Sequence, residues 1–158
     1  MTTLATALRR TVLPLALALG ATAALSSPAS AHTVTSAAFS EYGCKWTKGY
    51  AVELESLPIH DEWTGTRLGT VHLLWNSSHG QNCVVTRRTD SLHGGPPGVI
   101  SASLTVEGER LRQEYGDYSH YAAVVADAAG KCVRYSGYIT GPGDWEGAAT
   151  QIRFGFCG

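Results

Sequence analysis

The sequence predicts an all-β fold, a small antiparallel β-sandwich or barrel of about seven or eight short strands held by two disulfides. Three observations carry that prediction. Apolar and polar residues alternate along many short runs separated by glycine-containing turns. Beyond residue 31 no segment sustains a helical period of 3.6. All four cysteines, Cys44, Cys83, Cys132 and Cys157, lie in that same part of the chain, and an even number in an exported protein points to disulfides.

The elements follow in order. Residues 50–55 (YAVELE) alternate, with Val52 and Leu54 on an inward face and Glu53 and Glu55 opposite. Residues 70–75 do the same, with Val71, Leu73 and Trp75 inward. The polar segment NSSHG (76–80) then precedes the β-branched run 83–86. A five-residue polar loop containing glycine between two such runs is a hairpin turn. Residues 100–106, with Ile100, Ala102, Leu104 and Val106 on one face, turn through Glu107, Gly108 and Glu109 into 110–115. Residues 121–126 lead through 127–130 to 132–139, and residues 151–156 close the sheet after a Gly-Pro-Gly turn. Many short strands at close spacing argue for a sandwich or barrel.

Strand direction also bears on the crosslinks. If 131–139 and 150–156 are antiparallel neighbours, Cys132 at the start of one lies opposite Cys157 at the end of the other. The strand after Cys44 and the strand beginning at Cys83 flank one hairpin strand and run parallel, which brings both cysteines to one end of the sheet. Of three possible connectivities this favours Cys44 with Cys83 and Cys132 with Cys157. Zinc is disfavoured, because no Cys-x-x-Cys pair exists.

The N-terminus reads as a signal peptide over residues 1–31. Arg9 and Arg10 form the positive region, residues 12–25 are apolar, and Ala29-Ser30-Ala31 is a small-x-small cleavage site. Pro14 and Gly20 interrupt the apolar run, which is too short for a comfortable membrane span. The general secretory route is favoured over the twin-arginine route, since Leu8 precedes the arginines and no phenylalanine follows them. Residues 32–158 then form a single disulfide-bonded domain, secreted or retained at the surface, without an integral membrane segment. Without Arg9 and Arg10, ten basic side chains stand against thirteen acidic ones, a net charge of about −3. With no excess of cations to neutralise phosphates, nucleic acid is not an expected partner.

Catalysis finds little support. No Gly-x-Ser-x-Gly elbow is present. Ser77 and Ser78 beside His79 sit within a predicted tight turn, where nucleophile and base seldom reach a productive geometry. His60, Asp61 and Glu62 could offer hard metal ligands, but neighbours on an extended chain point to alternating faces, and a solvated loop is the simpler reading. Asp117, Asp144 and Glu146 could supply a glycosidase pair only at a defined separation. No enzyme activity, metal or cofactor is expected. Trp63 in DEWTG and Trp145 in GDWEG stand among acidic and glycine residues in predicted loops. With Tyr118, and with Tyr115 and Tyr121 nearby, they are candidate stacking platforms for sugar rings; the plain alternative is that they cap the sandwich ends.

Two segments, GTVHLLWNSSHGQNCVVTRRT (69–89) and YGDYSHYAAVVADAAGKCVRYSGYI (115–139), together with a terminal cysteine followed by glycine, resemble the spore-associated protein A family, small exported proteins of sporulating actinobacteria. The likeness spans residues 42–158 and departs in the 58–68, 93–98 and 141–150 loops. The resemblance implies export, association with the cell or spore surface and a small disulfide-bonded fold, and it implies no reaction. Three readings follow: a structural or associating spore- or cell-surface protein, a carbohydrate-binding module for wall or environmental glycan, and an exported protease inhibitor presenting a loop near HGGPPG (93–98).

Overall fold

The computed structural model describes residues 32–157, so the segment read as a signal peptide lies outside the described residues. A short helix, α1 (Val34–Phe39), precedes eight strands: β1 (Val52–His60), β2 (Arg67–Asn76), β3 (Gln81–Arg88), β4 (Gly98–Val106), β5 (Arg112–Tyr118), β6 (Tyr121–Asp127), β7 (Val133–Thr140) and β8 (Glu146–Gly155). They form two four-stranded sheets, ordered β1-β2-β3-β6 and β5-β4-β7-β8, with every neighbouring pair antiparallel. The architecture is a sandwich rather than a closed barrel. Among the described residues no helix is long and apolar enough to cross a membrane.

The main core lies between the sheets. Val71, Leu73 and Val84 from one sheet meet Ile100, Ala102, Leu104 and Ile139 from the other, all fully buried. Trp75 packs against this cluster while keeping partial exposure. Midway along β7 the sheets approach so closely that a side chain would not fit: a Cβ on Gly137 would stand 2.5 Å from Thr86 Oγ1 and 2.7 Å from Val71 Cβ. We predict that Gly137→Ala costs about 1–3 kcal/mol through overpacking. Urea denaturation measures this, and an unchanged midpoint would show that the sheets separate more readily than their packing implies.

NSSHG turns the chain, as its composition predicts. Asn76 Oδ1 accepts from the Ser78 amide at 2.9 Å, its carbonyl accepts from the amides of His79 and Gly80, and Gly80 takes a φ of +65°. Asn76 Nδ2 also donates to the Lys48 carbonyl at 2.9 Å, anchoring the chain that enters β1.

The inward face read for residues 50–55 is corrected. Val52 is 50% exposed and Leu54 37% exposed. A bulge between Glu53 and Glu55 makes Leu54 the unpaired residue and reverses the alternation, so that Glu55, Leu57 and Ile59 face the other sheet. Glu55 is accommodated there because it accepts a 2.7 Å hydrogen bond from the Tyr135 hydroxyl. Burial first and this carboxylate second push the Tyr135 pKa up.

The second departure is a covering layer on the outside of the first sheet. Helix α1 has a single turn and a half, too short to show a helical period, and it begins at Thr33, whose hydroxyl accepts from the Ser36 amide at 3.0 Å. Beyond it the chain doubles back, with the Cys44 amide donating to the Ala37 carbonyl at 3.3 Å and the Trp46 amide to Ala38 at 3.2 Å. Ala37, Ala38, Cys44 and Trp46 pack on Leu74, Cys83 and Val85, forming a second buried cluster. The Cys44–Cys83 disulfide ties this layer to β3, and Cys132–Cys157 ties the start of β7 to the end of the chain. Both favoured pairings are present, and among the described residues no cysteine is free.

Candidate functional site

Four connections gather at one end of the sandwich, because antiparallel order returns the β1–β2, β3–β4, β5–β6 and β7–β8 links to the same side. They make two regions. One carries the tryptophans, the other three histidines.

The tryptophan region is organised by Asp61. Its carboxylate accepts from the Thr64 amide and hydroxyl, each at 2.7 Å, from the Trp63 amide at 3.3 Å, and across the sandwich from the Glu146 amide at 3.0 Å. These bonds, the Thr64 hydroxyl first, hold its carboxyl below the usual carboxylate range. Asp61 is buried, which corrects the expectation of a solvated loop at this one position, while His60 and Glu62 on either side are exposed as expected. It binds the 61–66 loop to the start of β8 rather than facing water.

From that base Trp63 projects into solvent, 86% exposed, with no core to fill. Trp145 is 37% exposed and lies against Gly141, where an added Cβ would come within 3.3 Å of its ring. The structure therefore brings the two tryptophan loops together. Tyr118 is elsewhere: it ends β5, the edge strand opposite β8 in the same sheet, and its hydroxyl donates to Glu114. That bond, with burial adding to it, pushes the Tyr118 pKa up to about 12.

Of the three carboxylates considered for a glycosidase pair, Asp117 is set apart in the same way from Asp144 and Glu146, which lie together at the β7–β8 connection. Asp117 lies on β5 and Glu146 opens β8, with β4 and β7 between them. Three strand spacings come to about 14 Å, beyond the roughly 5–9.5 Å over which two carboxyl groups flank a glycosidic bond. Glu146 instead accepts from the Tyr138 hydroxyl at 2.7 Å.

The histidine region is built by a pair of consecutive arginines at the end of β3. Arg88 is 5% exposed and reaches through the end of the sandwich, donating to the carbonyls of Pro96 at 2.8 Å and Thr140 at 3.2 Å. The HGGPPG loop is thereby pinned at its centre. A turn over Thr89–His93 places His93, and the Gly94 amide donates to the Ser119 carbonyl at 2.9 Å, joining this loop to the β5–β6 turn that carries His120. Arg87 Nε donates to the His32 carbonyl at 2.7 Å, bringing the start of the described chain into the same place.

The three imidazoles then converge. Ring centroids lie 4.5 Å apart for His93 and His120, 4.7 Å for His32 and His120, and 5.7 Å for His32 and His93. One ring nitrogen from each lies within 4.8 Å of the others. Burial, reinforced by Arg87 and the other two histidines, pulls the His93 pKa down to about 4, and burial also lowers that of His120. Both rings are neutral near pH 7. His32 and His120 also border a groove of about 450 Å³, walled by Tyr42, Glu114 and Tyr118.

The sequence reading assigned no role to these histidines. Positions 93 and 120 fall on two separate connections and position 32 on the segment before α1, with none of the close spacing that marks a ligand motif. The available signal was the place of His32 immediately after the small-x-small site.

These features define a class: a small two-sheet β-sandwich, stapled once in each sheet, with its loop chemistry gathered at one end. The particular relationship comes from sequence. The chain is 33% identical over 130 residues to Spore-associated protein A of Streptomyces coelicolor, a match covering 82% of this chain and 78% of that protein. The chain belongs to the spore-associated protein A family. No family model matches it, and no solved structure matches it.

Proposed function

We propose that the protein is exported and acts without catalysis at the spore or cell surface, in a structural or associating role. The observation that carries this reading is the relationship to a protein named for its association with spores, over most of both chains. The signal-like segment and the two disulfides support an oxidising destination. The wide separation of Asp117 from Glu146 and the use of NSSHG as a turn fit a role in binding.

A glycan-binding reading is favoured by one further observation, the 86% exposure of Trp63 on a loop held rigid by Asp61 and adjoining that of Trp145. A fixed, exposed ring can stack on a sugar without first paying the entropy of ordering its loop. Co-sedimentation of the oxidised protein with intact spores, peptidoglycan and chitin tests both readings. Retention on spores, unaffected by Trp63→Ala, is the outcome expected of the structural role. Saturable binding to peptidoglycan or chitin that falls at least about tenfold in folded Trp63→Ala and Trp145→Ala, equivalent to about 1.4 kcal/mol, would assign the glycan role instead. Failure to associate with spores or either glycan would remove both.

A further inference from the structure

We propose that His32, His93 and His120 form a transition-metal site whose preferred ion is copper(II), with the α-amine of His32 as a fourth nitrogen donor once the chain is cut after Ala31. Geometry is the first support. A single ion bound at about 2.0–2.1 Å separates its neighbouring nitrogens by about 2.8–3.4 Å in square or tetrahedral arrangements. The backbone nitrogen of His32 already stands 3.1 Å from His93 Nε2. The three imidazole donors lie within 4.8 Å of one another, so modest ring rotations suffice to bring them onto one ion.

Unmet polar groups are the second support. Nδ1 of His93 and Nδ1 of His120 are both buried and have no hydrogen-bond partner. A buried polar nitrogen without a partner is destabilising, and two in one cluster call for an occupant. Stacking of three histidine rings accounts for their proximity but leaves that cost standing. Coordination removes it at His120 if Nδ1 turns to the ion; at His93, whose Nε2 already faces the His32 nitrogen, Nδ1 keeps its proton and donates to a ligand beside the ion.

The donor set selects the ion. Neutral imidazole is the ligating form, and a set made wholly of nitrogen suits copper or zinc rather than magnesium or calcium. At equal geometry copper(II) binds more tightly than zinc. A free N-terminal histidine strengthens that preference, because its amine and Nδ1 close a six-membered chelate ring on one ion. The neighbouring positive charge is partly met, since Arg87 pairs with Asp90. His32 is exposed, leaving the ion open to solvent on one side.

The fourth donor rests on the export reading, whereas the three imidazoles do not. The test therefore uses protein secreted with its own leader, its N-terminus established by intact mass, stripped of metal and titrated separately with copper(II) and zinc(II). The expected result is one copper per chain, bound more tightly than zinc, with nitrogen hyperfine structure in the electron paramagnetic resonance spectrum. His93→Ala and His120→Ala should each weaken copper binding by at least about 100-fold, with His93→Gln and His120→Gln as substitutes wherever an alanine variant fails to fold. Absence of stoichiometric binding, tighter binding of zinc, or copper binding indifferent to His93 and His120 would overturn the site. A cut other than after Ala31 shows in the mass and refutes the amine donor; binding must then still depend on all three histidines for the site to stand.

Discussion

Cys44→Ala/Cys83→Ala lowers the unfolding free energy by on the order of 4 kcal/mol, the chain-entropy expectation for opening a 39-residue loop. Set against a net stability of about 5–15 kcal/mol for a domain of this kind, that is a large fraction. Both cysteines are buried against Leu74 and Val85, so alanine rather than serine avoids adding unpartnered hydroxyls to the cluster. The loss should appear as a lower urea midpoint, with proteolytic cleavage admitted first in residues 34–46. A loss below about 1 kcal/mol would mean that packing alone fixes this layer to the sheet and that the bridge is nearly redundant. The Cys132–Cys157 bridge closes a shorter loop of 25 residues and ends in an exposed residue, so its removal should chiefly fray β8.

Trp46→Ala is expected to cost about 3–5 kcal/mol, the range for removing a large buried aromatic. Trp46 is 2% exposed, and its indole Nε1 donates to Gln81 Oε1 at 2.9 Å. Its removal opens a cavity between the covering layer and the sheet and leaves Gln81 without that donor. Because Trp46 and Cys44 hold the same segment, the combined variants should be non-additive, with a coupling of about 0.5–3 kcal/mol. Thermal unfolding of the single and combined variants measures this. Simple additivity would refute the view that one layer is held at both points.

The two hairpin strands were legible because burial imposes its period directly: Val71 and Leu73 enter the core on alternate positions, and NSSHG supplies the turn between β2 and β3. Cys132–Cys157 was legible for a related reason, since antiparallel order makes those two strand ends neighbours, whereas Cys44 reaches Cys83 from the covering layer, eight residues before β1, so that the expected pairing is present by a different route. Leu54 was misread because a bulge is a single extra residue in the pairing and leaves no mark in a hydrophobic pattern. Helix α1 was missed because six residues cannot repeat a 3.6 period, and Trp46 was missed with it. Asp61 shows a different limit. An acidic residue in a polar loop reads as solvated, yet four donors contributed by Trp63, Thr64 and Glu146 bury it. The histidine cluster depends on two connections and the segment before α1 meeting at one sandwich end, a fact of topology absent from any local spacing.

The two bridges neither cross nor enclose one another: one joins residues 44 and 83, the other 132 and 157. A protease cutting once between β3 and β4 would therefore leave two polypeptides with no covalent bond between them. They would be held without a covalent link by the interface between sheets, by the pairing of β3 with β6, the one strand that the C-terminal piece lends to the first sheet, and by hydrogen bonds such as those joining Asp61 to Glu146 and Arg88 to Thr140. The molecule is thus built as two separately crosslinked pieces clasped through β6. Nicked protein should survive under native conditions as a two-chain complex, and should come apart in denaturant without reductant.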